Sequence, residues 1–241
     1  MGETPRRLTF GAHADGYERA RPAWPAAAAR WFVPDDAQLV LELGAGTGKL
    51  TRALVALGPR VLAVEPDARM LAILQSSGFD GVPGSAEEIP LGDGEADVVV
   101  AGSCLHWFDL ERALPEIHRV LRPGGRLAFG WNHRDGDDPL GARVQRAISA
   151  ARTGLAGWRT REWTSVVVAG GLFGDVEQVT FPHAHAFPRD ALEDHLLSYS
   201  GVAALPAEER RRLTATVAEE LGDGDPIRLA YVVDGYRARR L

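Results

Sequence analysis

The chain has 241 residues, 45% of them hydrophobic and 25% charged, an ordinary globular balance long enough for one sizeable core. A net charge of −6 without a concentrated basic face argues against nucleic acid and anionic membrane as partners, and the arginine clusters at 210–212 and 237–240 read as solvated faces. One cysteine, Cys104, excludes an internal disulfide; the first twenty residues lack a signal-peptide core and no apolar run reaches the ~18 residues of a membrane helix, so a soluble, cytoplasmic protein is expected.

Taken in chain order, the pattern predicts a helix over 15–31 interrupted at Pro22 and Pro25. "AQLVLELG" (37–44) reads as a buried strand, and 47–57 as a helix ending near Gly58 and Pro59. "RVLAVE" (60–65) is a second strand, followed by the helix "PDARMLAILQSSG" (66–78), with Asp67 near its start and Gly78 past its end. A short third strand is expected at 81–84 and a buried fourth at "ADVVVAG" (96–102). "DLERALPEIHRVLRPGG" (109–125) patterns as an amphipathic helix closed by Pro123, Gly124 and Gly125, and "GRLAFGW" (125–131) as a fifth strand. Such alternation implies βαβ units around a parallel sheet. Beyond 131 it loosens: helices are expected over 139–155, 160–169, 189–199 and 207–221, with strands at "DVEQVTFPH" (175–183) and "RLAYVVDGYRARR" (228–240). No linker stands out, so 1–241 reads as one domain, with a cap over 1–30, a core over 37–131, and lid helices with the final strands over 132–241.

The turn after the first strand, "LELGAGTGKLT" (41–51), raises the question of its ligand. A phosphate-binding G-x-x-x-x-G-K-[ST] loop needs glycine where Leu43 stands and Ser or Thr where Leu50 stands, so Lys49 reads as a surface helix residue. A dinucleotide loop needs its third glycine at the position of Lys49. The observed spacing is G-x-G-x-G, with Glu42 just ahead of it. An acid there suits a cation better than the pyrophosphate favoured by a helix N-terminus, and the glycines let the backbone approach a ligand closely. A nucleoside with a positive group and no phosphate fits, and S-adenosylmethionine is such a molecule. Glu65, at the end of the second strand and 17 residues past Gly48, can accept both ribose hydroxyls. "GSAEEIP" (84–90) and the exit of the fourth strand end at the same carboxyl edge, where open α/β sheets bind ligands.

These stretches resemble a class I S-adenosylmethionine-dependent methyltransferase, well over 10–131 and loosely beyond. The resemblance implies an α/β Rossmann-like sheet of seven strands, mostly parallel with the last antiparallel, helices on both faces and a helical lid. It implies that Glu42, Gly44, Ala45, Gly46 and Gly48 hold the methionine part, that Glu65 binds the ribose, and that Pro66 and Met70 flank the adenine. Where the family has an aspartate near the adenine amino group this chain has Ser85, with Ala86 and Glu87 beside it. "YERARPAWP" (17–25) resembles a helix that folds over the cofactor in small-molecule methyltransferases, with Tyr17 near the sulfonium and Arg21 near the cofactor carboxylate. "CLHWFD" (104–109) resembles the trans-aconitate methyltransferase group; Ser103 and His106 complete the implied cofactor set, and "RVLRPGGRLAF" is structural.

Tyr17 and Arg21, four residues apart, share one helix face. His106 and Tyr17 are the catalytic candidates, His106 as a general base where the acceptor needs one; its alternative role is packing against the cofactor. Trp107 reads as a wall of the acceptor site and Cys104 as a small buried hydrophobe. Trp131, His133 and Arg134 leave the fifth strand at the ligand edge, where His133 or Arg134 could meet an acceptor carboxylate. Trp158 and Trp163 fit lid core or aromatic contacts equally. His183 and His185 have no Cys or acid cluster to complete a metal site, so no metal is expected. The expected activity is in-line methyl transfer from S-adenosylmethionine to O or N of a small molecule by a monomer or homodimer; the alternative is a cofactor-binding module without transfer.

Overall fold

The computed structural model describes residues 14–150 and 162–241. Its strands are β1 (Leu39–Leu43), β2 (Arg60–Glu65), β3 (Gly81–Pro83), β4 (Ala96–Gly102), β5 (Leu121–Arg134), β6 (Glu177–Phe187) and β7 (Ile227–Arg239). They form one sheet in the order β3-β2-β1-β4-β5-β7-β6. The first five pair in parallel, and β7 runs antiparallel to both β5 and β6. Sequence order reverses between β1 and β4, so their carboxyl ends open the crevice where such sheets hold ligands.

Alternation along the buried strands divides the core into two layers. Leu41, Leu43, Val99, Leu127 and Phe129 face one way, covered by α5 (Leu110–Val120) and α7 (Trp163–Val168). Val40, Val98, Val100 and Ala128 face the other, covered by α2 (Ala26–Phe32) and α3 (Lys49–Val55). A third cluster unites α1 (Ala14–Ala20), α6 (Pro139–Ala150), α8 (Leu192–Leu197) and α10 (Ala207–Leu221) over the far end of β6 and β7. The remaining helices are α4 (Ala68–Ser76) and α9 (Ser200–Ala203). Asp67 caps α4 by accepting from the backbone of Arg69 and Met70. Among the described residues no helix is long and apolar enough to cross a membrane.

Several boundaries differ from the sequence reading. The helix expected over 15–31 is two, α1 and α2, because Pro22 and Pro25 each remove a donor and disfavour helix in the residue before them. The helix expected to close at Pro123, Gly124 and Gly125 ends at Val120, since Leu121 is already extended and pairs with Ala96. β6 begins at Glu177 and runs on to Phe187, every residue of it paired with β7. The described parts of the helices expected over 139–155 and 160–169 are α6 and α7; positions 151–155 and 160–161, with Trp158, lie outside the described residues.

Candidate active site

Leaving β1, the chain turns through Gly44, Gly46 and Gly48 at φ of 63°, 60° and 93°, the left-handed region that only glycine enters without a steric penalty. A Cβ at Gly44 would lie 2.9 Å from the Cβ of Cys104, whereas one at Gly46 would meet nothing within 4 Å. The space beside Gly46 is therefore open to a ligand. Glu65 braces this loop from the end of β2: its Oε2 accepts from the Gly46 amide at 2.8 Å and its Oε1 from the Asp67 amide at 2.9 Å. Burial pushes the Glu65 carboxyl up, and those two amides pull it back.

A recess opens between the loop and α1. Glu42, Gly44, Ala45 and Gly46 form its floor, Tyr17, Arg21 and Trp24 its cap, and Ser103 and Asn132 its far wall. The structure thus gathers most of the residues expected around the methionine part of the cofactor, but not Gly48, where a Cβ would meet the Phe79 ring at 3.1 Å, and His106 is not part of the lining. Those expected around the adenosine part lie outside this recess, after β2 and β3: Met70 and Ala86 are buried, Pro66 is exposed, Ser85 bridges to Glu88, and Glu87 accepts from the Asp109 amide at 2.9 Å. Glu42 is 2% exposed and accepts from the Thr51 hydroxyl at 2.6 Å. Burial raises its carboxyl to about 8, so it is neutral at pH 7 and ready to regain its charge opposite a cation. Burial likewise raises the Tyr17 phenol, with Arg21 opposing.

The cap is latched by a residue the sequence reading left unassigned. Glu18 accepts from the Thr47 hydroxyl at 2.6 Å, lies 3.2 Å from Lys49 Nζ and 3.4 Å from Arg52. Lys49 also donates to the Glu18 carbonyl. Lys49 is therefore no surface helix residue; its side chain is 18% exposed. The available signal was a lysine in the first turn of α3, where the helix dipole disfavours a cation unless something compensates. In the same last turn of α1, Arg19 pairs with Asp194, and the Ala20 carbonyl accepts from His185 Nε2 and His195 Nδ1, each at 2.9 Å.

At the far wall of the recess, Ser103 follows β4 at φ 59°, a conformation non-glycine residues hold only where the surroundings impose it. Its hydroxyl accepts from the Asn132 amide at 3.2 Å. Trp131, expected at the ligand edge as a substrate contact, is 2% exposed and donates from its indole to His106 Nδ1 at 3.1 Å. Burial, and then Arg21, lowers His106 to about 4. At neutral pH the ring is uncharged with its one hydrogen on Nε2, which equips His106 as a hydrogen-bond donor rather than a base. Trp107 lies against His106, ring centroids 4.8 Å apart, and against the core layer under α5. His133 points to Asp234, Nε2 to Oδ2 2.8 Å, and its Nδ1 reaches the Arg134 carbonyl at 2.9 Å, so both nitrogens are engaged. His183 donates to Asn132 Oδ1 at 2.9 Å while Asn132 donates to the Ala23 carbonyl at 3.0 Å. His183 and His185 thus buttress the cap. Among the described residues no group of three His, Cys, Asp or Glu is placed to hold a metal.

A family profile described as a methyltransferase domain matches residues 41–129. An uncharacterized methyltransferase-like protein of Schizosaccharomyces pombe is 33% identical over 96% of this chain and 95% of its own length. An uncharacterized methyltransferase of Mycobacterium tuberculosis is 50% identical over 53% of this chain and 54% of its own. Among solved structures, a candidate type II methyltransferase of Anaeromyxobacter dehalogenans superposes with a TM-score of 0.65 at 25% identity, covering 91% of this chain and 97% of that one.

Proposed function

The chain belongs to the class I S-adenosylmethionine-dependent methyltransferases, and from that premise we propose that it methylates an oxygen or nitrogen of a small-molecule acceptor. The observation that carries the reading is the open space beside Gly46, set between the buried acid Glu42 and the cation Arg21. These residues fit the cofactor's own charges. Glu42 can regain its charge opposite the cationic end, and Arg21, without a carboxylate partner among the described residues, can take the carboxylate. Glu65 takes the ribose hydroxyls in this reading by exchanging one of its loop bonds, supported by its position at the loop. Bound there, S-adenosylmethionine supplies a methyl group already activated by its sulfonium. The chain's own contribution is alignment and exclusion of water: α1 roofs the recess and Ser103 and Asn132 bound its far wall, while His106, its Nδ1 taken by the Trp131 indole, has its Nε2 N–H to offer an acceptor oxygen. A recess enclosed by one short helix suits a small molecule. The test is transfer of labelled methyl from S-adenosylmethionine to pooled small metabolites, alongside calorimetric binding of S-adenosylhomocysteine. Label in a low-mass product is expected; tight binding with no label moved to any pool would overturn the transfer reading.

A further inference from the structure

We infer that Arg134 anchors an anionic group, a carboxylate or a phosphate, on the methyl acceptor, a deepening of the small-molecule reading above. Arg134 ends β5, two residues past Asn132. Alternation puts both on one face of the strand. Asn132 lines the recess, so Arg134 stands about 7 Å farther along the same face, two strand steps away.

Its side chain is built for a partner that the described residues do not supply. Arg134 is 5% exposed, and Nη2 donates to Gln145 Oε1 at 2.7 Å. Its Nε and Nη1 are buried with no partner among the described residues, which leaves at least three N–H donors unused there. No carboxylate among the described residues pairs with it. A guanidinium keeps its charge when buried, and a buried charge without a counter-ion is among the costliest features a fold can carry. What it does have is the face of Tyr199, 4.6 Å away, and the same ring carries Arg21 at 4.8 Å. Tyr199 is fixed in turn by its hydroxyl, 2.7 Å from that of Tyr231, which lies 3.2 Å from His195 Nε2. Two guanidiniums thus share one ring, one at the cofactor recess and one beyond it. Arg21 is accounted for by the cofactor carboxylate; Arg134 is left for the acceptor. An oxygen held by a guanidinium is a poorer nucleophile, so the anion is a handle and the methylated atom lies nearer Asn132.

The experiment follows the Arg134 Nε–H resonance in ¹⁵N-labelled protein saturated with S-adenosylhomocysteine, assigned by its loss in Arg134→Gln. Succinate and inorganic phosphate are titrated separately. A saturable shift with one of them is expected and tells carboxylate from phosphate; Arg134→Gln should weaken that anion at least about tenfold with S-adenosylhomocysteine affinity unchanged. Arg134→Lys, which keeps the charge, should retain part of the binding and serves if the glutamine variant does not fold. No shift with either anion at millimolar concentration, or equal binding by Arg134→Gln, overturns the assignment. Should S-adenosylhomocysteine itself fail to bind, the methyltransferase reading falls separately, and the same titration on the unliganded protein still decides the role of Arg134.

Discussion

A side chain added at Gly46 would meet no protein atom within 4 Å, while the backbone there sits at φ 60°. The fold asks only for the angle; the ligand asks for the space. Gly46→Ala should therefore cost about 1–2 kcal/mol of stability, the left-handed penalty, in urea unfolding. S-adenosylhomocysteine affinity should fall at least about tenfold; normal affinity would mean the loop is only a turn. Gly44→Ala differs, because its Cβ would press on Cys104, and stability should drop along with binding. At Glu65, replacement by Ala removes a charged acceptor from the ribose position and should weaken the cofactor by about 1.5–3 kcal/mol, read by calorimetry on protein whose circular dichroism is unchanged. Glu42 supplies a pH signature. Its carboxyl lies at about 8 before ligand arrives, and a cation beside it favours the charged form. Binding of S-adenosylmethionine at pH 7 should then release close to one proton, seen as a buffer-dependent enthalpy, and affinity should rise with pH until about 8. A Glu42→Gln variant should lose that proton release; an unaltered release would place the titrating group elsewhere.

At the scale of elements, α1 has seven residues, too few to be stable alone, so its position depends on tertiary contacts. Glu18 provides three of them in one carboxylate, to Thr47, Lys49 and Arg52. Glu18→Ala should speed amide exchange across α1 while leaving β4 protected. The stability cost should stay within about 1 kcal/mol, as for partly exposed ion pairs, and S-adenosylhomocysteine should restore less protection than in the parent protein. Unchanged exchange across α1 would show that Glu18 is no latch. The elements themselves were legible to different degrees, for physical reasons. β1, β2 and β4 declare themselves as short apolar runs because neighbours cover both faces. β6 is an edge strand exposed over its first four residues and alternating between exposed and half-buried only beyond them, so its true reach to Phe187 leaves little apolar trace. The glycine loop and the acid Glu65 were readable because their chemistry is local. The interlocks were not: Glu18 with Thr47 and Lys49, or Trp131 with His106, join residues 25 to 31 positions apart, and only the fold brings them together. Sequence alone accordingly puts Lys49 on a surface and Trp131 at the ligand edge, when one holds the cap and the other fixes a histidine tautomer.

For the whole molecule, buried titratable groups at the cap junction set a window of stability. His195 is 1% exposed, donates through Nδ1 to the Ala20 carbonyl and offers Nε2 to the Tyr231 hydroxyl, so its neutral form is the one the fold accommodates. Burial holds its pKa well below 6.5; burial also lowers His106, to about 4, and His183 and His185. Unfolded, all four titrate near 6.5. Below that pH the unfolded chain binds more protons than the native one, and stability falls as pH falls, by up to about 1.4 kcal/mol per unit for each histidine. The acids Glu42 and Glu65 act in the opposite sense. Their native pKa values are raised, so the native state holds protons that the unfolded chain has lost, and stability declines as pH rises from 4.5, through about 8 for Glu42. Between pH 4.5 and 6.5 the lowered histidines act against the raised acids, His195 being held furthest down; above about 7 the raised groups, Glu42 and then Cys104, act in one sense. The urea midpoint should therefore climb from pH 5 to a maximum near neutrality and decline toward pH 8.5. Glu42→Gln should remove much of the alkaline decline and steepen the acid limb, since the histidines that govern that limb then lose an acid that opposes them. A midpoint that is flat below pH 6.5 would mean that the cap junction opens before its histidines titrate, and that α1 is held by its latch at Glu18 alone.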